Sequence, residues 1–185
     1  GEELINITQY IDASSKKETL VKRQLWLPNV PKVIYLQNIC KKYSHKILPY
    51  TYNTAIGEYD EPRKQQQGLL ELDLSKGNIA IVGQIGAGKE MLISTIMWSS
   101  ISEHTPQEIN YYVLDMGAEA LKKFSKFPHV GEVVTQSEPD KIIGVLELIL
   151  EEQEKRKETF VDYNGSFELY NKMNKNKKPL IVVVI

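Results

Sequence analysis

The segment Ile79-Ala-Ile-Val-Gly83-Gln-Ile-Gly-Ala-Gly88-Lys89-Glu90-Met-Leu92 constrains the fold more than any other part of this chain. A Gly-x4-Gly-Lys spacing between an apolar strand and an apolar helix is the context of a phosphate-binding loop. Such a loop aims successive backbone N–H groups, at the start of a helix, toward phosphate oxygens, and its lysine reaches the β/γ oxygens. Gly83, Gln84, Ile85, Gly86, Ala87, Gly88, Lys89 and Glu90 are therefore the candidate nucleotide-binding residues. The last of them breaks the pattern. A Ser or Thr hydroxyl that ligates Mg²⁺ belongs at that position, whereas Glu90 is longer and carries charge beside the triphosphate. ATP is expected to bind weakly, and Mg²⁺ binding is left open.

The pattern around the loop reads as alternating strands and helices, hence an α/β fold with a parallel sheet flanked by helices. Leu69–Leu74 alternates as a half-buried strand, and residues 78–82 are expected to be the strand that feeds the loop. Met91–Ile101 reads as a helix with Leu92, Ile93, Ile96 and Met97 toward the sheet and Trp98 packed as well. A strand over 109–115 ends in Asp115, at the edge where ligand sites gather in open α/β sheets. A turn and short helix over 117–127 lead to a strand over 130–135. Ser137 is the expected cap of a long helix reaching about Tyr163, with Ile142, Leu146, Ile149, Gln153, Arg156 and Phe160 on one stripe and Asn164-Gly165 as its stop. The run Leu180–Ile185 is β-branched, as a buried parallel strand should be, so the domain is expected to be truncated at its C-terminal side.

Upstream, residues 1–48 are expected to be a linker and docking segment, with Trp26 in the island Gln24–Pro28 as its anchor, and 49–185 the α/β domain. A helix over 33–46 would turn Ile34, Leu36 and Ile39 inward, and its lysines, Lys41, Lys42 and Lys46, read as a solvated face. Residues 49–68 carry turn chemistry at Pro49, Gly57, Asp60-Glu-Pro62 and Gly68.

Composition excludes some partners. The net charge is −1, which gives no global basis for nucleic-acid binding. One cysteine, Cys40, permits no internal disulfide. No run approaches the roughly 18–20 apolar residues of a membrane span. No Cys/His cluster has metal-ligand spacing, and no serine nucleophile has a partner. Asp115 reads as a structural end-of-strand acid more readily than as a catalytic one, and His129 as a packing and hydrogen-bonding residue.

The order of elements carries a resemblance. The loop 83–90, Val113-Leu-Asp115, Phe127-Pro-His129, the helix segment Glu151–Arg156 and Leu180–Ile185 together resemble the FtsK/SpoIIIE class of hexameric motor ATPases, over about residues 69–185. Arg156 stands where that class has a helix arginine. Trp26-Leu-Pro28 followed by Ile56-Gly-Glu-Tyr-Asp60-Glu-Pro62 resembles the join between tandem modules of type VII secretion ATPases, the EssC and EccC proteins. The resemblance implies a P-loop NTPase (RecA/FtsK-like) module, the second or third of its chain, within a motor anchored at the cytoplasmic face of the bacterial membrane. It implies neighbouring ATPase modules, secreted substrates with helical signals and a hexamer as partners. Downstream modules of that family often have degenerate nucleotide sites and contribute substrate recognition. A working ATPase with another Mg²⁺ group and a DNA translocase are the alternative readings. For the last, the chain shows neither a basic pore loop nor a winged-helix domain. Of Asp115 and Arg156, neither stands out as catalytic.

Overall fold

The computed structural model describes residues 2–17 and 27–185; Trp26 lies outside the described residues. The chain forms two compact units, Gly1–Pro31 with Asp60–Gln67, and Lys32–Tyr59 with Gly68–Ile185.

In the first unit, α1 spans Glu2–Lys17, with Glu2 and Glu3 in its first turn and Lys16 and Lys17 in its last. That charge order complements the helix dipole, and Lys16 pairs with Asp12 at 2.7 Å. After Leu27, the Pro28 carbonyl accepts a hydrogen bond from Gln67 Nε2 at 2.6 Å.

The second unit is built on a parallel sheet of order β4-β3-β5, with β3 (Ile109–Asp115) between β4 (Val130–Thr135) and β5 (Leu180–Val184). Helix α3 (Lys89–Glu103) precedes β3, while α4 (Pro139–Phe160) and α5 (Phe167–Met173) connect β4 to β5. One face of β3 packs Ile109, Tyr111 and Val113 into a core with Met97 and Ile101 of α3. The other face puts Leu114 beside Val134 and Val145 of α4, with Tyr112, Ile142 and Ile149 around them. A strand covered on both faces must be apolar throughout, which is how β3 reads. The expected parallel sheet flanked by helices is present. Between Tyr111 and Tyr112 the β3–β4 register shifts. There the Tyr112 ring lies over Gly131, where a Cβ would come within 2.6 Å of it.

Four sequence expectations are corrected. Residues 53–61, read as turn chemistry, form β1 (Asn53–Glu61), which pairs with β2 (Gln66–Asp73) in a separate hairpin sheet. Thr54 and Ala55 are fully buried, and only the tip, Pro62–Lys64 and the left-handed Gln65, turns. Residues 78–82 form no strand. They border, with Val182 and Val184, a cavity of about 420 Å³, and Ile79 is 47% exposed. Ser137 does not cap α4. Its hydroxyl bonds Thr135 Oγ1 at 2.8 Å, and Glu138 is the cap position. Pro139 is the cause, since a proline pushes the residue before it out of the helical region. Finally, Trp98 is 53% exposed.

Other expectations hold in part: Leu92 of α3, expected to face the sheet, is 37% exposed. Helix α2 (Leu36–Lys42) is shorter than expected and buries Ile39. Asn164 and Gly165, both at positive φ, end the α4 region, and Gly165 N–H donates to the Phe160 carbonyl. On α4 the inward side is Ile142, Val145, Ile149 and Phe160, whereas Leu146 of the expected stripe is 40% exposed. No described helix is long and apolar enough to cross a membrane.

Candidate functional site

The loop 83–90 has the backbone that its glycines permit. Gly86 and Gly88 take φ of +78° and +85°, a region that costs other residues strain. Gly88 is also the cap residue of α3, so no side chain occupies the helix start. A Cβ on Gly83 would press to 3.3 Å from Ala87 Cβ and 3.6 Å from Lys89 Cγ. The loop thus curls around the stem of Lys89. The Lys89 ammonium donates to the carbonyls of Gly83 and Gln84, both at 2.9 Å. Ala87 N–H closes the turn onto the Gln84 carbonyl at 3.1 Å.

Glu90 lies in the first turn of α3, exposed. A carboxylate suits the positive end of a helix dipole, so Glu90 is locally favourable. For a phosphate ligand the loop backbone fits, because it presents a glycine-rich turn at a helix N-terminus. At the position where the loop pattern has a Mg²⁺-ligating hydroxyl, the chain offers the carboxylate of Glu90, a hard oxygen donor that is longer and charged. Val82 and Ile85 flank the loop at 93% and 102% exposure.

Asp115 and Arg156 are not brought together. Asp115 Oδ1 accepts from Gly117 N–H at 3.2 Å and Oδ2 from Leu121 N–H at 3.0 Å. Both oxygens of this buried carboxylate hold the loop after β3. Arg156 donates through Nε to Glu152 at 2.7 Å and through Nη1 to the Pro179 carbonyl at 2.8 Å. It therefore clamps the residue just before β5, next to Lys178, whose N–H and carbonyl are both bonded by Asn171. Since Leu180 pairs with Ile109 in the parallel register, Arg156 grips the N-terminal edge of the sheet. Asp115 is six residues further along β3, roughly 20 Å away at about 3.3 Å per residue. His129 Nε2 bonds the His104 carbonyl at 2.8 Å, in keeping with a packing role.

Sequence reading missed a second concavity, a groove of about 830 Å³ over the outer side of α3. Met91, Thr95 and Trp98 line it from α3, together with Phe124 and Phe127, the segment 34–37 and Ile56, and Lys123 is its charged residue. The Trp98 and Phe127 rings meet edge to face at 5.7 Å. The volume is that of an ordinary ligand site. Its signal in the sequence is the i, i+4, i+7 spacing of Met91, Thr95 and Trp98, a second stripe opposite the sheet-facing one.

The FtsK/SpoIIIE family model matches residues 54–181. The ESX-1 secretion system protein EccCb1 of Mycobacterium tuberculosis is 31% identical over 153 residues, covering 81% of this chain and 25% of that protein. The solved structure of EssC ATPases 2 and 3 from Geobacillus thermodenitrificans is 28% identical, with a TM-score of 0.71 over 85% of this chain and 29% of that one. Thermomonospora curvata EccC ATPases 2 and 3, solved in complex with a signal sequence peptide, is 26% identical, with a TM-score of 0.65 over 75% of this chain and 27% of that one. The chain thus spans a quarter of EccCb1 and under a third of either solved structure.

Proposed function

This chain belongs to the FtsK/SpoIIIE family, and on that premise we propose that it is a degenerate ATPase module of a type VII protein secretion motor. Its role in that motor is substrate recognition or regulation, with weak or no ATP hydrolysis. Residues 1–48 serve as the inter-module linker and 49–185 as the ATPase domain. The whole protein is a motor at the cytoplasmic face of the membrane, its modules packing on one another in a hexamer.

One observation carries the degenerate reading: the loop keeps its glycine backbone and its lysine, yet Glu90 stands in place of the metal-binding hydroxyl. The repulsion between that carboxylate and a triphosphate is about 1 kcal/mol when water screens it and several when the site is dry. Isothermal titration with ATP, with and without Mg²⁺, tests this. Weak binding that Mg²⁺ does not strengthen is expected, and tight Mg²⁺-dependent binding would favour the reading of a working ATPase.

Recognition is supported by the groove over α3. It is apolar, aromatic and open, which suits an amphipathic helix laying anchors at i, i+3/i+4 and i+7 into it. The related EccC ATPase pair holds a signal sequence peptide, and the present chain would take a helical signal of a secreted substrate in the same manner. The expected result is saturable binding of such a peptide, insensitive to ATP and changing little with salt, because an apolar groove releases few counterions. Absent peptide binding, beside steeply salt-dependent DNA binding, would move the assignment to a DNA translocase.

A further inference from the structure

We infer that the groove over α3 is also the docking site for helix α1 of a second copy of this chain, so that α1 and a substrate helix compete for one surface. This deepens, and rests on, the reading of the groove as a helix-binding site.

Among the described residues, none of the 16 residues of helix α1 is buried. Leu4, Ile7 and Ile11 are 69%, 52% and 59% exposed. Spaced i, i+3 and i+7, they form one stripe about 10 Å long at a 1.5 Å rise per residue. The floor of the groove has the same length, because Met91 and Trp98, both exposed, are also seven residues apart on a helix. The two apolar stripes match in extent.

Charge sets the direction. Lys123 lines the groove at the Phe124–Phe127 end, beside Trp98, and Lys126 follows three residues later in the same short 3-10 turn. Among the described residues Lys123 forms no ion pair; its ammonium rests over the Phe124 ring at 5.4 Å. Helix α1 opens with Glu2 and Glu3, immediately before Leu4. Seating these acids at Lys123 and Lys126 lays Leu4 on Trp98 and Ile11 near Met91. The helices then run antiparallel, which also opposes their dipoles favourably. A substrate helix with an acidic end would use the same contacts, so copies of the chain would hold one another's grooves closed until a substrate displaces α1.

The test is a fluorescence-anisotropy titration of a labelled peptide of residues 2–17 with the whole chain. Saturable binding is expected, weakened at least tenfold by Trp98→Ala and by Lys123→Glu, an exposed change that leaves the core intact. A peptide carrying Glu2→Lys and Glu3→Lys should recover affinity for the Lys123→Glu chain. No binding, or binding that both groove variants leave unchanged, overturns the inference. An unlabelled helical secretion-signal peptide supplies the second arm. Displacement of α1 supports both readings. Direct binding of the signal peptide with no binding of α1 overturns the inference and leaves the recognition role standing. Groove-dependent α1 binding that the signal peptide cannot displace leaves α1 docking standing but overturns the competition and the recognition role.

Discussion

The ammonium of Lys89 lies 2.9 Å from the carbonyl oxygen of Gly83, six residues earlier in the chain. The lysine that would grip a phosphate is engaged by its own loop, so nucleotide binding must replace two carbonyl contacts with phosphate contacts. Beside a normal metal site that exchange is favourable, because Mg²⁺ and phosphate are bound together. On the proposed reading, Glu90 removes that partner and adds a negative charge.

Glu90→Thr should therefore raise Mg·ATP affinity, by about tenfold for a penalty near 1.4 kcal/mol, the free energy of one decade in affinity. Calorimetry on both proteins reads it directly. Equal affinities would show that Glu90 is not the limiting defect. The unmodified chain should turn over ATP far more slowly than the ~1–100 per second of typical phosphoryl-transfer enzymes.

Asp115→Ala should lower thermal stability. It removes the acceptor for two backbone N–H groups, Gly117 and Leu121, and hydrogen bonds to a charged group contribute about 1.5–3 kcal/mol each. A variant that melts like the parent would return Asp115 to the list of groups free for catalysis.

Arg156→Lys should destabilise nearly as much as Arg156→Ala, because a single ammonium cannot span Glu152 and the Pro179 carbonyl as the guanidinium fork does. Urea denaturation of the three proteins separates geometry from charge. Full rescue by lysine would mean that only the positive charge matters.

Tyr111 gives an alkaline signature. Its hydroxyl meets Ser100 Oγ at 2.5 Å inside the core, and burial pushes its pKa up to about 12, from 10. The folded pKa is the higher one, so the native state holds this proton longer than the unfolded chain. The associated stability is complete below pH 10 and is lost as pH rises from 10 through 12. Tyr111→Phe should remove this part of the alkaline decline while costing about 1 kcal/mol at neutral pH for the lost hydrogen bond. Denaturation curves at pH 8 and pH 11 check it, and parallel declines in both proteins would exclude Tyr111 as the titrating group.

Much of the fold was legible because its signals are local. The α3, β3, β4, α4 and β5 segments each display their own local apolar pattern, and the glycines at 86 and 88 mark a backbone that few other residues could adopt. Other features depended on neighbours distant in sequence. Trp98 looked like core because it sits on an apolar helix. In the structure the sheet claims Met97 and Ile101 instead, and Trp98 is turned to the opposite side against Phe127. Arg156 stood out as charged and was open to a catalytic reading, until the chain returned 23 residues later and set the Pro179 carbonyl against it.

By itself the sequence determined that this chain would make a phosphate-loop α/β domain with a carboxylate where a hydroxyl belongs. Glycine sterics, side-chain identity and hydrophobic period are properties of short segments. Only the tertiary structure decided which apolar residues are covered, that residues 78–82 stay outside the ladder of the sheet, and that Asp115 and Arg156 brace opposite ends of its strands. Those outcomes depend on which surfaces meet after long loops close, and a local pattern carries no information about the far partner.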